Sequence, residues 1–430
     1  MRILKPLVLV AASLTALFAS LVILSPTLVA QERVLYKFQG PNANADGGEP
    51  WGKLLHDQAG NLYGTTADEY GGNGTVYELS PTAGGGWRKS ILYRFQGGAD
   101  GWVPTSGLIF DSLGNLYGTT GQGGLYGFGT VYELTPSGGG WTKTILHSFD
   151  GYDGQYPVSN LTFDSSGNLW GMTPFGGVGC TSGCGVIFEL TNSGGAWQEN
   201  VIHYFLGNDG YNPTGYLVLD AQGNFYGTVN AAGSDDSDGF VFQLHPTGSG
   251  WSYNILHTFY NIPPKCSGGS FAGAPPTPVL DAAGNLYGPA LAGGDQYCNF
   301  GVIWKLSPLN GQWNLSVLYR FTTELNGNPL GDLTLDKQGN LYGVSVDLAN
   351  GPTNLGTVFK LSPNSTGRFW THTVLHHFQG LQVGDGDTPV LAPIFNQDGN
   401  LYGTTLYGGY GGGEFCAAFY GCGVVYGVKP

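Results

Sequence analysis

Aspartates placed directly before glycine are the residues whose type and spacing most suggest chemistry in this chain. The pattern Asp-Gly-x-x-Pro begins at Asp46, Asp100, Asp153, Asp209 and Asp385. Hard cations such as Ca²⁺ prefer oxygen ligands, so a ring of these carboxylates would form a Ca²⁺ site. The same pattern is typical of a turn in which Asp-Gly reverses the chain and Pro enters the next strand. Both interpretations are open at the level of sequence, and Ca²⁺ is the one cofactor suggested.

Aromatic residues within glycine-rich stretches form a second candidate set. Aromatic rings stack on sugar faces or anchor protein contacts, and they also serve simply to cover the ends of a β-sheet. The predicted ligand-binding residues are Trp102, Tyr126, Tyr152, Tyr211 and Tyr297.

Motifs of established catalytic chemistry are missing from the sequence. It contains no Gly-x-Ser-x-Gly nucleophile turn, no His-Glu-x-x-His zinc motif and no phosphate-binding loop, so no catalytic residue is predicted. Four histidines follow "VL" or a similar pair at a position that is tyrosine in other copies of the same segment. These histidines are His147, His203, His257 and His376, and the corresponding tyrosines are Tyr36, Tyr93 and Tyr319. We therefore predict that the histidines replace aromatic rings in a strand.

These residues belong to a sevenfold internal repeat. The hairpin motif typified by "GNLYGTT" recurs at Gly60, Gly114, Gly167, Gly223, Gly284, Gly339 and Gly399. A segment such as "GTVYELTP" follows each copy, and in six of the seven a segment such as "GWTKTILHSF" comes next. Each repeat therefore predicts four short strands, A to D, with a tight turn between A and B. The turn uses an Asp that can accept backbone amides and a Gly that tolerates positive φ.

The position of one missing strand predicts a closed ring. The last repeat ends at Pro430 without a strand D, while "VLYKF", Val34–Phe38, resembles strand D at the other end of the chain. We predict an all-β, seven-bladed β-propeller of four-stranded blades over residues 31–430, closed by this N-terminal strand in the last blade. An open β-solenoid is the alternative, but it would not need a displaced strand.

Residues 1–30 differ from the rest in having Arg2 and Lys5 before a long apolar run. They predict a secretory signal peptide cleaved after Ala30, with a retained membrane anchor as the alternative. In an exported chain, six cysteines favour disulfides over metal binding. Spacing favours the pairs Cys180–Cys184 and Cys416–Cys422, which leaves Cys266 and Cys298 for each other.

The net charge of −14 makes nucleic acid an improbable partner, because such a surface repels phosphates. No second apolar stretch follows residue 30, so no membrane span is expected after removal of the signal. Glycans and proteins outside the cell are the expected partners, and we expect the protein to be a monomer.

The motifs "GNLYGTT", "GTVYELTP" and "GGGWTKTILHSF", with the Asp-Gly-x-x-Pro connector, resemble the GloVer tandem-repeat proteins of bacteria over residues 32–430. The resemblance implies an exported protein, often of a type that carries one of several C-terminal cell-surface anchors. Because no anchor or sorting signal is evident after the closing strand, we expect this chain to depart from that pattern. The family implies no established activity and no catalytic residues.

Together these observations predict a secreted or cell-surface propeller without catalytic activity, in which a loop-rich face binds a glycan or a protein. The alternative is an extracellular propeller hydrolase or lyase that acts on a polysaccharide or a lactone with help from a cation. Propellers support both classes, so the fold alone does not separate them.

Overall fold

The computed structural model describes residues 33–40, 46–67, 72–230, 237–260, 277–291, 300–322, 327–346, 355–409 and 421–430. In these residues the chain consists of β-strands, turns and short 3-10 segments such as Gly98–Asp100. None of the helices among them has the length and apolar character of a membrane span. The predicted signal, Tyr297, Cys266, Cys298 and Cys416 lie outside the described residues.

The strands form seven antiparallel sheets, which are the blades. Strand β1 (Arg33–Lys37) precedes the first repeat. Blade 1 contains β2 (Leu55–His56), β3 (Leu62–Thr66), β4 (Thr75–Pro81) and β5 (Trp87–Arg94). Blade 2 contains β6 (Ile109–Phe110), β7 (Leu116–Thr120), β8 (Thr130–Ser137) and β9 (Gly140–Ser148). Blade 3 contains β10 (Thr162–Phe163), β11 (Leu169–Thr173), β12 (Val186–Ser193) and β13 (Ala196–Tyr204).

The remaining blades repeat this order. Blade 4 contains β14 (Val218–Leu219), β15 (Phe225–Val229), β16 (Ser237–Thr247) and β17 (Gly250–Tyr260). Blade 5 contains β18 (Val279–Leu280), β19 (Leu286–Ala290), β20 (Val302–Leu309) and β21 (Gln312–Arg320). Blade 6 contains β22 (Pro329–Leu335), β23 (Leu341–Ser345), β24 (Thr357–Pro363) and β25 (Trp370–His377). Blade 7 contains β26 (Gly386–Pro389), β27 (Ile394–Phe395), β28 (Leu401–Gly408) and β29 (Val424–Val428).

The ring is closed by the N-terminal strand, as predicted. Strand β1 pairs antiparallel with β29, and Val34 lies opposite Tyr426. It thereby supplies the missing strand D of blade 7 and covers the edge that β29 would otherwise expose. Blade 7 differs from the prediction in having five strands, because β26, in the connector after Asp385, also pairs with β28.

The turn between strands A and B is built by one aspartate, as its repetition predicted. In blade 2 the Asp111 carboxylate accepts hydrogen bonds from the backbone N–H groups of Leu113 (2.8 Å) and Asn115 (2.9 Å). Its second oxygen accepts from the Asn115 amide and the Tyr117 hydroxyl. Gly114 adopts φ = 87°, a conformation that favours glycine. The repeated motif is therefore a self-contained hairpin.

A glycine in strand B makes room for the largest ring of strand C. In blade 2, Gly118 lies opposite Tyr132, and a Cβ on Gly118 would come within 2.6 Å of the Tyr132 hydroxyl. Glycines at the same position elsewhere face Tyr77, Phe188, Phe242, Trp304, Phe359 and Tyr426. Each blade thus buries one aromatic ring against bare backbone, which explains the glycine in "NLYG".

Blades are joined near the axis by hydrogen bonds between neighbours. The Thr65 hydroxyl of blade 1 donates to the Ser106 carbonyl of blade 2 (2.9 Å), and the Thr119 hydroxyl donates to the Pro157 carbonyl of the next connector (2.7 Å). Strand B is fully buried in blades 1 to 6, whereas strand D is partly exposed, so strand D forms the outer edge of each blade.

The loops sort onto two faces because successive strands alternate in direction. We call one of them the loop face. It carries the B–C loops and the connectors from strand D to the next strand A, and in blades 2 to 4 it includes residues 121–129, 149–161, 174–185 and 205–217. Cys180 and Cys184 form the predicted disulfide there. Cys422 is disulfide-bonded as well.

Candidate functional site

Exposed aromatic rings are found on the loop face of blades 2 to 4. Tyr152 is 75% exposed and Tyr126 is 57% exposed, so both rings reach into solvent. Tyr211 and Phe175 are exposed to a smaller extent, and Trp102 is half-buried. Of the predicted ligand-binding residues that are described, three are therefore exposed rings on a single face, and Phe175 joins them.

The loops that carry these rings are tied together by backbone bridges. Trp102 exchanges two hydrogen bonds with Gln122, at 2.9 and 3.2 Å, and thus joins a connector to the B–C loop of blade 2. The Gln155 N–H donates to the Phe175 carbonyl at 2.8 Å, which makes the same link in blade 3. In blade 4 the corresponding bridge joins Tyr211 to Asn230. Because the backbone is held in this way, the exposed rings stand on a pre-organised surface.

The connector aspartates bind side chains of the preceding strand D. Asp46 accepts a hydrogen bond from the Tyr36 hydroxyl at 3.0 Å, and Asp100 accepts one from Tyr93 at 2.7 Å. At the equivalent places a histidine Nε2 contacts the carboxylate. These pairs are His147–Asp153 (2.8 Å), His203–Asp209 (3.0 Å) and His376–Asp385 (3.0 Å).

The same carboxylates also accept backbone N–H groups, such as that of Gln96 on Asp100 (2.7 Å). In the described residues each connector carboxylate is therefore bound at its own blade, and the five are not brought together into a ring. The histidines of strand D have two roles in the structure. His147 packs edge-to-face on Phe149, as an aromatic substitute would, and additionally holds the connector through Asp153.

In four of these contacts, those of Asp46, Asp100, Asp153 and Asp209, a described residue of the next blade adds a further side chain. We call this arrangement the junction between two blades, and in the 1–2 junction it consists of Tyr93, Phe95 and Asp100 of blade 1 with Tyr132 and Lys143 of blade 2. The Lys143 ammonium lies 2.7 Å from Asp100 Oδ1 and over the Tyr93 and Phe95 rings. Lys89 makes the same contacts with Asp46 in the 7–1 junction.

Electrostatics in the 1–2 junction follow from this pairing. Burial favours the neutral form of Asp100, but Lys143 and the Gln96 and Tyr93 donors outweigh it and hold the pKa of Asp100 below its usual value. Burial lowers the pKa of Lys143, and Asp100 partly offsets that effect. The junction is thus a compact ion pair in which the lysine is buried against aromatic rings and the aspartate keeps partial contact with solvent.

The 2–3 junction, formed by His147, Phe149, Asp153, Phe188 and Glu199, differs in three side chains, and one of these differences reverses a charge. Strand registers place Glu199 opposite Leu190, just as Lys143 lies opposite Leu134. A carboxylate therefore occupies the place of the lysine. Burial raises the pKa of Glu199 to about 8, and the negative charges of Asp153 and Asp150 add to the rise.

A second polar cluster lies on the propeller axis. Lys53 of blade 1 forms an ion pair with Asp332 of blade 6, and the Tyr216 hydroxyl of blade 4 donates to the same carboxylate at 2.7 Å. These blades are not all neighbours in the ring, so their contacts must cross its centre. Asp332 is only 2% exposed and also accepts the Ala392 N–H at 3.0 Å.

The axial cluster brings together residues that the sequence did not single out. A bulge between Leu330 and Thr334 in β22, where Gly331 has φ = 65°, positions Asp332. Burial and the Asp332 carboxylate raise the pKa of Tyr216 well above its ordinary value, so this hydroxyl is a donor at neutral pH. The three side chains satisfy one another and link opposite blades.

Several solved structures are similar to this one. The polysaccharide lyase Uly1 is 11% identical, with 92% of each chain covered and a TM-score of 0.51. YCF48 from Cyanidioschyzon merolae is also 11% identical, covers 93% of this chain and 99% of its own, and has a TM-score of 0.48. PorZ, a surface component of the type-IX secretion system of Porphyromonas gingivalis, is 15% identical with a TM-score of 0.41, covering 81% of this chain and 44% of its own.

At such low identities these similarities concern the fold alone. No curated protein sequence matches the chain. The repeat itself is recognised directly, because the Gloeobacter/Verrucomicrobia repeat matches residues 21–179 and 178–416. The propeller, with its repeated hairpins and its Asp-Gly-x-x-Pro connectors, is therefore a member of the Gloeobacter/Verrucomicrobia repeat family.

Proposed function

We propose that this protein is an exported glycan-binding propeller whose binding surface is the loop face of blades 2 to 4. The observation that carries the proposal is the set of exposed rings on successive, mutually bridged loops, with Tyr126, Tyr152 and Tyr211 as its centre. Aromatic rings offer flat apolar faces for sugar rings, and the bridged backbone limits the ordering cost of binding. The chain belongs to the Gloeobacter/Verrucomicrobia repeat family, and its resemblance to GloVer repeat proteins implies export. Both support a location outside the cytoplasm.

The charge of the loop face indicates which class of glycan it would bind. The sequence has no lysine or arginine between Lys143 and Lys265, which includes most of the loop face in these blades. Asp150, Asp153 and Asp209 add negative charge on the same loops. A surface of this kind repels uronates and sulfates, so the proposed ligand is an uncharged glycan. Amide side chains on the same loops, including Gln122, Gln155 and Asn230, offer hydrogen bonds to sugar hydroxyls.

The proposal is tested by binding of the purified protein, residues 31–430, to an array of neutral and acidic glycans. We expect saturable binding to one neutral class. Tyr152→Ala and Tyr126→Ala should each weaken it by about tenfold or more, as expected for exposed rings that carry most of the contact energy. Phe369→Ala is the matched control, because Phe369 is 74% exposed but lies between β24 and β25 on the opposite face.

The outcomes separate the candidate functions. An array that stays blank, or binding that survives both tyrosine changes, would contradict the proposal and favour a protein ligand. Running the array with Ca²⁺ and with chelator tests whether the connector aspartates act as cation ligands. Analysis of bound glycans for shortened products tests the hydrolase or lyase alternative, which predicts their accumulation with time.

A further inference from the structure

The 2–3 junction lacks the positive charge that the 7–1 and 1–2 junctions contain. In the 7–1 and 1–2 junctions, Lys89 and Lys143 each place an ammonium 2.7 Å from the connector carboxylate. In the 2–3 junction the equivalent residue is Glu199, so two carboxylates and one imidazole face one another. No lysine or arginine lies in the sequence from residue 144 to residue 264 to take over the role.

The three side chains converge from separate elements. His147 is in β9, Asp153 is in the connector that follows, and Glu199 is in β13 of the next blade. Their candidate ligand atoms lie within 4.8 Å of one another, and no other group of three His, Cys, Asp or Glu residues in the described chain meets that criterion. The His147 Nε2 and Asp153 Oδ2 atoms are already 2.8 Å apart.

One carboxylate oxygen of Glu199 is an unsatisfied hydrogen-bond acceptor. Glu199 Oε1 is buried and has no hydrogen-bond partner among the residues that the structure describes. A carboxylate oxygen left in this state is costly unless a donor or a cation approaches it. Its location beside Asp153, in the place of an ammonium, makes a cation the ligand that would balance the charge.

We propose that His147, Asp153 and Glu199 bind one divalent transition-metal ion, of the class of Zn²⁺, in the 2–3 junction. Two carboxylates balance the charge of such an ion, as the lysine balances one carboxylate in the 1–2 junction. Three ligand atoms within 4.8 Å of one another need only small side-chain movements to reach the ~2.0–2.2 Å of zinc–nitrogen and zinc–oxygen bonds.

The ligand set selects against Ca²⁺, which takes six to eight oxygen ligands. Imidazole and carboxylate are both ligands of zinc and related metals, and a set of three protein ligands leaves a position for water. His147 and Asp153 are each about one-fifth exposed, so an ion can enter from solvent. The site is distinct from the predicted Ca²⁺ ring, because Asp153 is the only connector aspartate in it.

Metal binding here would act on the proposed glycan surface. Asp153 ends the short segment that begins at Asp150 and contains Tyr152, and the Asp150 N–H donates to Asp153 Oδ1 at 2.8 Å. An ion that anchors Asp153 to blade 3 would therefore fix the base of the most exposed ring on the loop face. The metal site itself does not depend on the glycan proposal.

The experiment titrates the purified, metal-stripped protein with ZnCl₂ by calorimetry, and with CaCl₂ in parallel. The variants are Glu199→Gln and His147→Tyr, and the second of these introduces the residue type that Tyr93 provides at the equivalent position of blade 1. His203→Tyr is the matched control, because His203 pairs with Asp209 in the same way but faces Tyr253 instead of a carboxylate.

We expect one Zn²⁺ per chain in the wild type and in His203→Tyr. Glu199→Gln and His147→Tyr should weaken binding by about 100-fold or more, since even changes beside a metal ligand cost about 10–100-fold. Added Zn²⁺ should raise the thermal unfolding midpoint of the wild type but not of Glu199→Gln. Far-ultraviolet circular dichroism establishes that each variant is folded.

Three results would overturn the proposal. The first is the absence of saturable Zn²⁺ binding by the wild type. The second is equal affinity in the wild type and both site variants, which would place any bound ion elsewhere. The third is preference for Ca²⁺, which would contradict the ligand chemistry.

Discussion

The 1–2 and 2–3 junctions have the same backbone and opposite electrostatics. In both, strand D supplies a polar ring and a phenylalanine, the connector supplies an aspartate, and the next blade adds an aromatic ring and one further side chain. That last residue is Lys143 in one junction and Glu199 in the other. The comparison teaches that a repeat can keep its fold while one column of residues varies freely in charge, and that this column decides what each junction can bind.

The largest expected effect comes from making the 1–2 junction resemble its neighbour. Lys143→Glu would set two carboxylates against each other where the lysine side chain is now only 4% exposed. Loss of one partner from a buried ion pair costs about 3–5 kcal/mol, so we expect a destabilisation of that order, measured by urea unfolding at neutral pH. A change below ~1 kcal/mol would mean that the Asp100–Lys143 pair contributes little.

The reverse exchange should stabilise the protein. Glu199→Lys would place an ammonium beside Asp153 and over the ring of Phe149, as in the 1–2 junction. Charged hydrogen bonds contribute about 1.5–3 kcal/mol, so we expect a gain of about 2 kcal/mol in metal-free urea unfolding. Zn²⁺ should no longer affect this variant. The comparison fails if Glu199→Lys is less stable than the metal-free wild type.

A third residue type in the same column predicts a dependence on pH. His372 stacks on Tyr319 at 4.8 Å in the 5–6 junction, and its Nε2 is buried with no hydrogen-bond partner in the described part of the chain. Burial, with a smaller contribution from His377, lowers the pKa of His372 to about 4. Folding therefore favours the neutral ring. The stability that follows is complete above the unfolded pKa and is lost as the pH falls from ~6.5 towards 4.

Substitution by leucine tests this dependence, because Leu315 occupies the same position in the 4–5 junction. His372→Leu should lose about 1 kcal/mol less than the wild type between neutral pH and pH ~5, after allowance for partial exposure. Urea unfolding at the two pH values measures the difference. Parallel losses in both proteins would show that other groups control acid stability.

The smallest expected effect concerns the ring beside Lys143. The Tyr132 hydroxyl is buried and has no hydrogen-bond partner among the described residues, whereas the equivalent residue of the 2–3 junction is Phe188. Tyr132→Phe removes the unsatisfied hydroxyl and should stabilise the protein by up to about 1 kcal/mol. Thermal unfolding beside Phe188→Tyr, which should be destabilising, checks the sign. A loss of stability in Tyr132→Phe would reveal a contact made by the hydroxyl.

The features that could be predicted from sequence are those that rest on local chemistry. Asp111 and Gly114 specify their turn within a few residues, so repetition reveals every hairpin. The missing strand D revealed the ring closure, and close spacing revealed the Cys180–Cys184 disulfide. The predicted exposed positions of Tyr126 and Tyr152 followed from the same alternation of strands.

The polar clusters could not be predicted in the same way. Lys53, Tyr216 and Asp332 lie in repeats that are far apart, and only the closed ring brings them together. Glu199 lies in a column that also contains lysine, tyrosine, leucine and histidine, a pattern that indicates a variable exposed position. The sequence predicts its partner His147 as an aromatic substitute, and the packing of His147 on Phe149 agrees with that prediction. The contact between His147 and Asp153 was not predicted.

The pairing of β1 with β29 has a consequence for the order of folding. Val34 and Tyr426 meet across nearly the whole chain, and contacts of such high sequence separation form late. The entropy of closing the loop grows only with the logarithm of its length, so the ring is not costly once complete. Until Val424–Val428 is available, however, β1 is a strand without its partner. A chain that is synthesised from its N-terminus must therefore keep this edge from aggregating until its final residues arrive.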